Sequence, residues 1–222
     1  MSEKCNELHQ QFNNLRKLKF PFKEEDIPLI PLNGIYILFE RGESAHGTNR
    51  IVRIGTHTGN NQLRSRLKQH FVNENKDRSI FRKNIGRCIL NKDKNSFLEK
   101  WELDLTSKKA KENYTNFIDF NKQKEIENKV TKELQDNFSF VAFQVDNKEK
   151  RLELESKIIS TVSLCNECKP SNNWLGLFSP KEKIRKSGLW LVNELNNEPL
   201  SDEDMNELQR SLGNKKSNET PF

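Results

Sequence analysis

Apolar positions along the chain change period several times, and each change marks an element. Leu8, Phe12, Leu15 and Leu18 recur at helical spacing, which predicts an amphipathic helix within residues 3–19. Pro21, Pro28 and Pro31 then hold "FPFKEEDIPLIPL" extended, since each restricts its own φ and the residue before it. "NGIYILFER" reads as a buried strand, with Ile35, Ile37 and Phe39 on one face and Tyr36 and Leu38 on the other. "RIVRIG" returns as a second strand, so residues 33–55 predict a hairpin with a long turn-rich loop at "GESAHGTN". Leu63, Leu67 and Phe71 form the core stripe of a helix over 61–74, and "SIFRKNIGRCIL" predicts a second.

Residues 91–136 are dense in Lys, Asn and Glu and predict helices and loops peripheral to the core. "FSFVAFQV" (138–145) reads as a third strand, "NKEKRLELESKIISTVSL" as a long helix and "CNECKPSNNWLGL" as a loop. Ser179-Pro180-Lys181-Glu182 has the pattern of a capping box and predicts a helix to about Asn196. Ser201 and Asp204 open another, closed by Gly213, and 214–222 reads as a disordered tail. The chain is therefore expected to be α+β. An N-terminal helix and lead-in (1–32) precede a main domain (33–178) with a helical insertion at about 91–136. A C-terminal helical extension (179–213) follows.

Glu155 breaks the pattern of its helix. Leu152, Ile158, Ile159 and Val162 all fall within about 60° of it on a helical wheel, whereas Glu153 points the other way. An isolated ionised carboxylate on an apolar stripe costs several kcal/mol, about what excludes it unless it is protonated, paired or metal-bound. Arg66 and His70 lie four residues apart on one helix face and border the Leu63/Leu67 stripe. If Ile35, Ile37, Phe39, Val52 and Ile54 share the core face of the hairpin, Tyr36 and Arg53 project together from its other face. Two strands and two helices could thus gather a phenol, two guanidiniums, an imidazole and a carboxylate. That set suits phosphodiester hydrolysis, with a metal on the carboxylate, cations on the phosphate and an acceptor for the proton of water.

Charge points the same way. The 222 residues carry 38 Lys and Arg against 32 Asp and Glu, a formal net charge of +6, which favours polyanionic partners such as nucleic acid. Arg64 and Lys68 turn outward on the first helix, and Arg82, Lys83 and Arg87 on the second could line a nucleic-acid groove. The N-terminus lacks the apolar stretch of a secretory signal and no run is long enough for a membrane span, so a soluble cytoplasmic protein with reduced thiols is expected. "CNEC" at 165–168 has zinc-knuckle spacing, but no second CxxC or HxxxH pair accompanies it, so no zinc site is expected.

"GIY" at 34–36, "RIG" at 53–55, Arg66 with His70, Glu155 in "LESKII" and Asn173 in "KPSNNW" together resemble the GIY-YIG nuclease superfamily over residues 33–174. The resemblance implies a small α+β domain with a three-stranded antiparallel sheet flanked by helices, cutting DNA with one divalent metal. It also implies roles. Tyr36 would position or deprotonate the attacking water, Arg66 would hold the scissile phosphate, and Glu155 would ligate Mg²⁺ or Mn²⁺. Asn173, or Asn172 in a shifted alignment, would orient the glutamate or the phosphate, and His70 would donate to a phosphate oxygen or assist proton transfer. The second motif of the family usually begins with tyrosine, and here Arg53 stands there. Arginine stays protonated, so the base is expected to be Tyr36 alone or His57 in "GTHTG". Double-stranded DNA is the expected partner of such an enzyme. The competing expectation is a catalytically inactive nucleic-acid-binding protein on the same scaffold.

Overall fold

The computed structural model describes residues 2–213; the expected tail at 214–222 lies outside them. Strands β1 (Gly34–Ala45), β2 (Thr48–Gly55) and β3 (Phe138–Gln144) form one antiparallel sheet in the order β2-β1-β3. Helix α1 (Ser2–Asn13) precedes the sheet, and α2 (Leu63–Phe71) and α3 (Ile80–Lys92) follow the hairpin. The insertion forms α4 (Leu98–Glu102), α5 (Lys108–Tyr114) and α6 (Phe120–Asn137). After β3 come α7 (Lys148–Ser163), α8 (Glu182–Ser187) and α9 (Asp202–Gly213). The fold is α+β, with a small antiparallel sheet flanked by helices.

Both faces of the sheet are apolar, so both are covered. Tyr36, Leu38, Val52 and Phe140 pack with Leu67, Phe81, Ile85, Val130, Trp174 and Trp190. Ile35, Ile37, Phe39, Ile54, Val141 and Phe143 pack on the other side with Leu8 and Phe12 of α1, Ile158 and Val162 of α7, and Leu208 of α9. Each such side chain contributes about 1.5–3 kcal/mol on burial, so the terminal helices belong to the core they cover.

The hairpin departs from expectation in two ways. The long loop does not exist: β1 continues to Ala45 and turns through His46 and Gly47, both at positive φ (52° and 71°), as a two-residue primed turn requires. The polar residues that suggest a loop are paired across the strands, with Arg50 Nε donating to Glu43 Oε2 at 2.9 Å. Second, the register jumps from Leu38↔Arg53 to Phe39↔Ile51. This bulge turns Val52 onto the Tyr36 face rather than the Ile54 face, and the Trp190 amide donates to its carbonyl at 2.8 Å. Arg53 stays on the Tyr36 face.

The C-terminal region is less helical than its capping signal suggests. Ser179 Oγ accepts the Lys181 amide at 3.1 Å but caps no helix, and α8 stops at Gly188, whose φ of 69° ends it after six residues. An irregular segment replaces the expected helix to Asn196. At α9 the reciprocal box does form: the Asp204 amide donates to Ser201 Oγ at 3.1 Å and the Ser201 amide to Asp204 Oδ2 at 2.8 Å.

Candidate active site

Tyr36 is buried on β1, and its ring lies across the neighbouring strand at Gly55, where any β-carbon would collide with the phenol hydroxyl. The glycine of "RIG" is thus a space requirement of the tyrosine of "GIY". The phenol oxygen lies 2.8 Å from His70 Nε2, and His70 Nδ1 lies 2.6 Å from Ser79 Oγ. Ser79 is the N-cap of α3 and accepts the Arg82 amide at 3.2 Å. His70 is fully buried, and burial first, then the charges of Arg53, Arg66 and Arg82, hold its pKa well below the ordinary value. The imidazole is therefore neutral.

Arg53 reaches the same phenol, Nε donating at 3.4 Å, while its guanidinium stacks over Phe81 at 4.9 Å and donates to the Trp190 carbonyl. Arg66, half-buried, donates to Gln69 Oε1 and to the Arg78 carbonyl, each at 3.1 Å. Burial lowers its pKa first, with Tyr36, Arg53 and Glu155 as the neighbouring charges. Glu155 is half-buried on α7 beside the edge strand β2. Burial raises its pKa to about 7, and Arg53, the Thr56 backbone and Arg66 oppose the rise while Glu194 adds to it. Tyr36, Arg53, Arg66, His70 and Glu155 thus form one electrostatically coupled group.

Of the other expected site residues, His57 lines a pocket together with Arg66, Gln62 and Gln69. His57 Nδ1 donates to the Gly59 carbonyl at 2.7 Å, and its Nε2 accepts the Gly34 amide at 3.4 Å. With both nitrogens on backbone, it braces the loop after β2. Asn172 and Asn173 are exposed in a loop pinned by Ser171, whose amide donates to Glu43 Oε2 at 3.1 Å, and by Trp174, whose indole donates to Glu40 at 2.8 Å. Neither lines the cleft at Glu155. Asn84, Asn193 and Glu194 do, together with Arg53 and Trp190. Only the early end of α8 puts Asn193 and Glu194 there, so the expected helix concealed them.

The basic face expected on α3 is corrected. Arg82 is fully buried and donates from Nε and Nη2 to Glu127 Oε2 of α6, at 2.9 Å and 2.6 Å, and it also donates to the His70 carbonyl. Arg87 grips Glu102 of α4 at 2.5 Å and 2.6 Å, and Lys83 donates to the Glu102 carbonyl. These cations sew the insertion onto the domain because acidic partners from α4 and α6 cover them. On α2, Lys68 is exposed, while Arg64 is half-buried and donates to the Ile30 carbonyl at 2.9 Å.

A divalent cation of the Mg²⁺ type takes hard oxygen ligands. The cleft offers oxygens of that kind from the carboxylates of Glu155 and Glu194 and the amide of Asn193, whereas the Asn84 oxygen accepts Arg87 Nη1 at 2.6 Å. No helix among the described residues is long and apolar enough to cross a membrane. Comparison with known families finds a match to a GIY-YIG domain over residues 2–218, nearly the whole chain. No curated protein and no solved structure matches the chain.

Proposed function

The chain belongs to the GIY-YIG family, a family of nucleases, and on that premise we propose that it is a metal-dependent endonuclease hydrolysing phosphodiester bonds of double-stranded DNA. The observation that carries the reading is the hydrogen-bonded chain Arg53–Tyr36–His70 beneath the sheet edge, with Arg53 and Glu155 lining one cleft and Arg66 the pocket beside His57. In this reading Arg66 and Arg53 bind the scissile phosphate and stabilise the charge that grows on it. Glu155 would hold the divalent ion, which would supply Lewis-acid polarisation of the phosphate when bound. Glu194 and the amide of Asn193 share that wall.

Tyr36 is the base in this proposal, because His57 has both ring nitrogens occupied. In this reading Ser79 Oγ, which accepts the Arg82 amide, donates its own proton to His70 Nδ1, and Nε2–H faces the phenol oxygen. By the same reading His70 Nε2 and Arg53 Nε converge on that oxygen and fix the phenol where it takes up the proton of the attacking water. Arginine in the position where the family usually has tyrosine therefore assists the remaining tyrosine.

The test is incubation with supercoiled plasmid in Mg²⁺ and in EDTA. Nicked or linear product in Mg²⁺ alone supports the enzyme. Salt-dependent binding with no cutting in Mg²⁺ or Mn²⁺ refutes it in favour of an inactive binding protein.

A further inference from the structure

A second constellation lies away from the cleft, on the other side of the sheet. Cys5 of α1, His46 at the hairpin turn, and Cys165 and Cys168 after α7 place four ligand atoms within 4.8 Å of one another. We propose that this is a structural zinc site of the Cys₃His type, clamping the N-terminal helix, the hairpin tip and the exit of α7 together. It is independent of the nuclease reading, and it overturns the expectation that "CNEC" lacks partners: the two missing ligands arrive from distant parts of the chain.

The geometry fits that ion. Cys5 Sγ lies 3.3 Å from Cys168 Sγ, and His46 Nε2 lies 3.3 Å from Cys168 Sγ and 3.5 Å from Cys165 Sγ. Zn–S bonds of about 2.3 Å and Zn–N bonds of about 2.0–2.1 Å set tetrahedral ligands roughly 3.5–3.8 Å apart, within the spread of these atoms, so small side-chain adjustments seat the ion. All three thiols are free and buried. A soft thiolate-rich set with one imidazole selects zinc over magnesium or calcium, and four protein ligands leave no open position for catalysis.

Two further contacts have the form of supporting groups around such an ion. His46 Nδ1 faces Glu167 Oε2 at 3.4 Å, the carboxylate–imidazole arrangement that orients the other nitrogen onto a metal. His9, whose ring centroid is 4.9 Å from that of His46, donates from Nδ1 to the Cys5 carbonyl at 2.8 Å and accepts the Ile51 amide on Nε2 at 3.1 Å. Both its nitrogens are used, so His9 braces the ligand-bearing segments and leaves His46 as the imidazole ligand. The positive φ at His46 and Gly47 makes the tight turn that delivers that ring. Because Glu155 is on α7, a clamp at the end of this helix holds the catalytic carboxylate's element against the hairpin that carries Tyr36 and Arg53.

The experiment is elemental analysis of the full chain purified without chelator, followed by Co²⁺ titration of the metal-stripped protein. The expected result is close to one Zn²⁺ per chain, and visible d–d bands with thiolate-to-cobalt charge transfer on titration. The Cys165→Ser/Cys168→Ser double variant loses the ion, Glu167→Gln binds it roughly 10–100-fold more weakly, and Cys88→Ser, a buried thiol outside the cluster, keeps it. A wild-type chain that carries no zinc and gives no charge-transfer band with Co²⁺ overturns the proposal. So does equal metal loss in Cys88→Ser and the double variant.

Discussion

Glu40 offers a stability test worked directly from its surroundings. Its carboxylate sits beneath two indoles: Trp174 Nε1 and Trp190 Nε1 both donate to Oε2, each at 2.8 Å. Burial raises its pKa from the usual 4.5 to about 7, the two indole bonds and Arg50 pulling the other way and Glu43 adding to the rise. A folded-state pKa above the unfolded one means that the native chain holds a proton the unfolded chain has already released. The stability linked to this group is therefore complete below pH 4.5 and lost as pH rises towards 7. At about 1.4 kcal/mol per pKa unit the loss comes to about 3 kcal/mol. Glu40→Gln keeps an oxygen for the two indoles and removes the charge. Urea unfolding of both chains between pH 4.5 and 8 isolates the effect, because every other titrating group cancels in the difference. The variant should match the wild type near pH 4.5 and exceed it by about 3 kcal/mol at pH 8. A variant less stable by the same amount at every pH would refute the reasoning, and would mean that Glu40 is ionised and held by Arg50.

Further expectations concern the cleft and its supports. Tyr36→Phe should lower the cleavage rate by roughly 10²–10⁴-fold, whereas His57→Ala should destabilise the fold but keep the pH–rate profile of the wild type. Gly55→Ala should cost cleavage by displacing the phenol, with far-UV circular dichroism unchanged, since the added carbon meets the Tyr36 hydroxyl. Arg82→Ala should cost about 3–5 kcal/mol in denaturant unfolding by leaving Glu127 buried and unpaired. Lys68→Ala should leave stability alone and reduce the salt dependence of DNA binding by about one ion.

The residues legible in the sequence are those whose meaning is local. Arg66 and His70 declare themselves by four-residue spacing beside an apolar stripe, Glu155 by standing inside one, and Tyr36 by strand alternation. What could not be read depends on partners far along the chain. Arg82, Lys83 and Arg87 look like a solvent-facing basic row until Glu127 and Glu102 arrive from a segment with no strong apolar pattern of its own. Val52 changes face because a bulge breaks the alternation on which the expectation rested. Asn193 and Glu194 replace Asn173 at the cleft because Gly188 ends α8 early, overriding a capping signal that is only local. Cys5 and His46 lie far from "CNEC" in sequence, and only the closing of α1 over the hairpin brings them together.

Phosphodiester hydrolysis is proposed for the group of Tyr36, Arg66 and Glu155. It is tested most directly by single-turnover cleavage of an end-labelled DNA duplex in Mg²⁺ by the wild type, Arg66→Ala and Glu155→Ala. Cutting by the wild type is expected, with a rate lower by at least roughly 10²-fold in each variant and duplex binding by all three. Equal rates in all three proteins, or a wild type that binds the duplex and leaves it intact, would contradict it.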